Sequence, residues 1–151
     1  RRGFGTIDAK IIDGPIKITM PRKAEDLLKL LPQQNFKMSS GKIISNLSFF
    51  PPYPIVKRIE IGSPVDTSDS LLEKIGKSSS QSKSSNNDSW DYKNSLGHTS
   101  KRFSSPVFVS VIHHRNQYFP IISTLNTVFE GGGTASNRHE QIQETFKSRI
   151  L

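Results

Sequence analysis

The stretch Pro106 to Phe129, PVFVSVIHHRNQYFPIISTLNTVF, constrains this chain more than any other. Val107, Val109 and Val111 alternate with Phe108, Ser110 and Ile112, the period-two pattern of a strand with one aliphatic and one mixed face. His113 to Gln117 break the apolar run, and Tyr118-Phe119-Pro120-Ile121-Ile122 resumes it. Two β-rich runs across so short a polar break predict a hairpin, around which the remaining elements are expected to assemble.

Upstream, Arg1 to Met20 reads as a first hairpin, with Asp13-Gly14 as its tight turn. Ala24 to Leu31 reads as a short helix with Ala24, Leu27, Leu28 and Leu31 on one face, ended by Pro32. Lys42-Ile43-Ile44 is a short strand. Phe49 to Pro54 is an extended connector, because its three prolines remove three backbone donors. Ile55 to Ile61, IVKRIEI, reads as a strand with Ile55, Lys57, Ile59 and Ile61 on one side. Asp66 to Asp69 supplies caps for a helix from Ser70 to Ile75, closed by Gly76. Gly131 to Gly133 is a hinge. Asn137 caps a closing helix with Glu140 at the capping-box position, and its stripe Ile142, Phe146 and Ile150 is expected to lie on the sheet.

Lys77 to Ser105 differs in kind: 11 of its 29 residues are Ser, and only Trp90, Tyr92, Leu96 and Phe103 are large and apolar. Against an ordering cost of roughly 1–2 kcal/mol per residue, that composition predicts a flexible insertion. Trp90 and Tyr92 either tack it to the domain or form a recognition element within it. The fold expected is therefore a single α+β domain over residues 1–151, a mainly antiparallel sheet of about five strands. Two or three helices and a long disordered Ser/Asn-rich insertion, residues 77–105, complete it.

The residue inventory bears on function mainly by what it withholds. With no cysteine, disulfides, thiolate catalysis and sulfur-ligated zinc are excluded. Of the four histidines, His113 and His114 are adjacent and would point to opposite faces of a strand, which suits no shared metal. His139 lacks the second histidine of a metalloprotease helix, and the serines stand in no nucleophile elbow. The expectation is no enzyme and no cofactor. No run approaches the ~18 apolar residues of a membrane span. An opening at Arg1 rather than Met suggests a fragment of a larger, eukaryotic-style protein. Together these features suggest an intracellular setting, cytoplasmic or nuclear.

The net charge of +8 is unevenly placed. Lys29, Lys37, Lys42, Lys57 and Arg58 lie in an acid-free stretch from Leu27 to Ile59. Lys93, Lys101, Arg102 and Arg115 lie in another, from Tyr92 to Phe129. If both feed one sheet, their fields add to a positive face of Lys42, Lys57, Arg58, Lys101, Arg102 and Arg115. Ser63 and Ser105, each before proline, and Ser104 after Lys101-Arg102-Phe103 are candidate phosphorylation sites, where phosphate would cancel local charge. The favoured function is a protein-interaction domain, an adaptor or assembly subunit whose partner is another protein. The alternative is a basic module for RNA, DNA or an anionic, phosphoinositide-bearing membrane surface. The sequence leaves the oligomeric state open.

Overall fold

Two tight turns with left-handed backbone set the antiparallel order of the sheet. Arg115 and Asn116, with φ +48 and +61, join β4 (Val107–His114) to β5 (Gln117–Leu125). Ser40 and Gly41, with φ +49 and +74, join β1 (Phe36–Ser39) to β2 (Lys42–Ser45). Positive φ at both central residues matches the twist of the flanking strands, which is why such two-residue loops make hairpins. In the computed structural model, which describes residues 23–47, 55–86, 90–97, 104–126 and 137–151, these hairpins flank β3 (Val56–Ile61). The order is β1-β2-β3-β5-β4, with every pairing antiparallel.

The α+β class and the five-stranded antiparallel sheet are as the sequence implied, with four helices among the described residues: α1 (Ala24–Leu28), α2 (Ser68–Ser85), α3 (Trp90–Leu96) and α4 (Asn137–Ser148). Apolar residues collect on both faces of the sheet. On one, Ala24, Leu27 and Leu28 of α1 cover Ile43, Ile59, Val56, Ile121, Phe36 and Met38. On the other, α2, α3, α4 and the turn after α4 cover the β4–β5 half through Leu71, Tyr92, Leu96, Ile142, Phe146 and Ile150, packed with Val107 and Ile122. The Ile142, Phe146 and Ile150 stripe thus lies buried, as its spacing predicted.

Within 77–105, the described residues 77–86 and 90–97 are mainly helical, where their composition suggested a structureless insertion. α2 runs unbroken through Gly76 to Ser85, and α3 follows. Thr67 caps α2, its Oγ1 accepting from Ser70 N at 3.1 Å. The inner face of the extended helix carries Leu71, Ser78 and Ser82, all buried, with the partly buried Ile75 packed on the same core. Small side chains on that face let the helix pack closely, so tertiary burial overrides the weak intrinsic preference of serine. Tyr92 is buried in the core, which decides the tacking role in its favour, and Gly97 at φ +84 ends α3. The side chain of Trp90 lies outside the described residues, as do the Arg1–Met20 hairpin, the Phe49–Pro54 connector and the Gly131–Gly133 hinge.

β3 departs from simple alternation. Its register with β5 shifts between Val56 and Arg58, so Lys57 occupies a bulge. Val56 and Ile59, three apart, therefore both pack on the α1 side, while Lys57 reaches α4. The expected single row of Ile55, Lys57, Ile59 and Ile61 is corrected by that extra residue. Gly62 then closes the strand's end: a Cβ there would stand 2.8 Å from Leu151 Cα and Pro120 Cγ, so only glycine fits.

Candidate interaction surface

The α4 side of the sheet is apolar over β4–β5 and ionic over β2–β3. Glu60, 3% exposed, projects from β3 toward α4, where the fully buried Lys147 donates to its Oε2 at 2.9 Å. Lys42 Nζ lies 2.9 Å from Glu60 Oε1, and Arg58 Nε lies 3.1 Å from Oε2. Arg58 Nε and Glu60 Oε1 make no aligned hydrogen bond, so these two contacts are charge attraction alone, whereas Lys147 adds a hydrogen bond. Glu144, one turn before Lys147, takes Arg58, Lys42 at 3.7 Å and Lys147 at 2.6 Å. At the rim, Lys57 Nζ donates to Glu140 Oε1 at 2.7 Å. That hydrogen bond holds the Glu140 carboxyl below its ordinary range. The charges of Lys57 and Arg58 act in the same direction, and partial burial opposes them. Glu140 therefore ties the first turns of α4 to β3.

This pairing is what the acid-free stretch conceals in sequence. Lys42, Lys57 and Arg58 have carboxylate partners after all, Glu60 just beyond the stretch and Glu140 and Glu144 some 80 residues later. Glu60, Glu140, Glu144 and Lys147 were missed as a group. The signal available was the 140, 144, 147 spacing, which puts three charges on one helical stripe beside the apolar one. Arg115 sits apart at the exposed tip of the β4–β5 turn. Lys101 and Arg102 lie outside the described residues.

The candidate phosphorylation sites differ in access. Ser63 is exposed, its backbone N–H donating to Leu151 O at 2.9 Å, and Ser104 is exposed as well. Ser105 is engaged: its hydroxyl donates to Val107 O at 2.8 Å and accepts from Val107 N at 3.2 Å. The proline after it, Pro106, is fully buried.

On the far edge of the sheet, β4 carries apolar side chains in the open. Phe108 is 50% exposed and Val111 37% exposed, on opposite faces of the same strand. His113 stacks on Tyr118, with ring centroids 4.5 Å apart. Elsewhere, Asp91 of α3 pairs with Arg138 Nε at 2.8 Å, and His139 Nε2 lies 3.3 Å from its other carboxyl oxygen, a polar seam between α3 and α4. Among the described residues, no three His, Asp or Glu side chains converge as a metal site, and no helix is long and apolar enough to cross a membrane.

No protein-family model, curated protein or solved structure matches this chain.

Proposed function

We propose that the chain is a non-catalytic protein-interaction domain, an adaptor or assembly subunit of the cytoplasm or nucleus. The observation that carries this reading is the pair of exposed apolar side chains on the edge strand β4, Phe108 on one face and Val111 on the other. Exposed aromatic and aliphatic side chains with no cover are the ordinary material of a protein contact. Ser104, exposed at the entry to that strand, is the phosphoacceptor best placed to regulate it.

The rival reading, a nucleic-acid or phosphoinositide binder, draws on Lys42, Lys57 and Arg58, which already hold carboxylates of their own chain. A phosphate would have to displace those carboxylates, leaving Arg115 as the described base of the set with an open approach.

The test is a pull-down with the whole chain at two salt concentrations, alongside a Phe108→Asp variant. A protein captured by both charge-independent and Phe108-dependent contact should persist from roughly 50 to 200 mM salt, whereas phosphate-driven binding falls steeply over that range. It should disappear with Phe108→Asp. Capture that collapses with salt and ignores Phe108→Asp would overturn the reading in favour of the anion binder.

A further inference from the structure

The hydrogen-bonding phase of β5 determines which groups β4 offers to a neighbour. Leu125 N donates to Pro106 O at 2.8 Å, so odd-numbered residues of β5 face β4. Even-numbered ones face the other way: Tyr118 exchanges both bonds with Val65, and Pro120 O accepts from Gly62 N. With the register Val107↔Thr124 to His114↔Gln117, the even-numbered residues of β4 bond to β5. The N–H and C=O groups of Val107, Val109, Val111 and His113 therefore point outward. Val107 is closed off by Ser105, whose hydroxyl occupies both its groups. At the other end, the turn at Arg115 stops the strand. Three outward residues remain, Val109, Val111 and His113, and among the described residues no strand lies along them.

That set is symmetric about Val111, and the strand's own residues supply none of the usual protection. Val107 to His114 contains no Lys, acid or Pro, and its pairing with β5 shows no bulge. We propose that β4 pairs antiparallel with β4 of a second copy, centred on Val111. Val109 of one copy then lies opposite His113 of the other, and Val111 opposite Val111, so every open group on the edge is matched. The contact is isologous, closing a twofold dimer with a continuous ten-stranded sheet. Charge selects the same direction. An antiparallel pair centred there sets the two Arg115 turns roughly 27 Å apart along the strands, several times the ~8 Å Debye length. A parallel pair would bring the basic turns together. The contact is short, so it belongs with weak, concentration-dependent interfaces. It rests on the interaction-domain reading in that both use β4, and it names a second copy as the partner.

The experiment is sedimentation of the full chain over about a hundredfold dilution series, where mass action governs the dimer fraction, with amide exchange of Val109, Val111 and His113. The wild type should dimerise with rising concentration, and those three amides should gain protection in step. Val111→Lys and Val111→Glu, at a site whose side chain is already partly in solvent, should each weaken the dimer about tenfold or more by setting like charges face to face. Mixing the two variants in equal amounts should restore a heterodimer, which only the Val111-centred register provides. Unchanged circular dichroism in both variants confirms that the fold is intact. A wild type that stays monomeric, amides protected at every concentration, or a mixture that fails to reassociate overturns the proposal. Salt-resistant, Phe108-dependent capture of another protein by a monomeric chain would leave the broader reading standing.

Discussion

Lys147 has no exposed surface, and its ammonium lies 2.9 Å from Oε2 of Glu60, 87 residues earlier in the chain. This pair fastens α4 to the middle of the sheet beside the apolar core. Around it stand four cations, Lys42, Lys57, Arg58 and Lys147, against three carboxylates, Glu60, Glu140 and Glu144. The imbalance makes the two partners unequal. Glu60→Gln strands three cations on Glu144 and should destabilise the fold by roughly 3–5 kcal/mol, the cost of breaking a buried pair. Lys147→Met leaves Glu60 with Lys42 and Arg58 and should cost less. Urea unfolding of both variants checks the order, and equal losses would mean that the cluster does not act as a unit.

Phe146 is 8% exposed at the centre of the core beneath α4. Phe146→Ala should cost roughly 3–5 kcal/mol, as emptying a large aromatic site usually does. Thermal unfolding measures it, and a near-neutral result would place the helix off the sheet.

Ser82 Oγ and Ser78 Oγ are buried in α2 without a hydrogen-bond partner. Removing an unsatisfied hydroxyl while improving helix propensity should stabilise, so Ser82→Ala should add about 0.5–1 kcal/mol. A loss of stability on denaturation would show that the hydroxyl is bonded after all.

The depressed pKa of Glu140 fixes the sign of one pH effect. Because the folded value lies below the unfolded one, the pair with Lys57 stabilises fully above the ordinary carboxylate range. It is lost as pH falls through the lowered folded value. Both side chains are about half exposed, so the effect is small, on the order of 0.2–1 kcal/mol, and salt weakens it. In Lys57→Met, the Glu140 titration followed by NMR should move up toward the ordinary value. A midpoint that stays put would assign the depression to Arg58.

Arg58 and Arg115, grouped by sequence as one basic face, should part company on reversal. Arg58→Glu faces Glu60 and Glu144 and should destabilise the fold, while Arg115→Glu at the exposed turn should be within about 0.5 kcal/mol of the parent. Calorimetry of the two single variants distinguishes them.

What the sequence determined by itself was local or periodic. The alternation from Val107 to Ile112, the polar break before Tyr118 and the stripe Ile142, Phe146 and Ile150 each follow from one element's own spacing, so the hairpin, the closing helix and the α+β class were legible. The β1–β2 hairpin had a signal too, Ser40-Gly41 between two short runs, but four-residue strands carry little pattern. Tertiary structure decided the rest, because contact energies across long separations leave no local mark. Serines that disfavour order alone become the close-packing face of α2 once that face is buried. A bulge at Lys57 turns the following residues over, which alternation cannot foresee. The bases of the acid-free stretch found their carboxylates on a helix some 80 residues away, since opposite charges meet wherever the core brings them together.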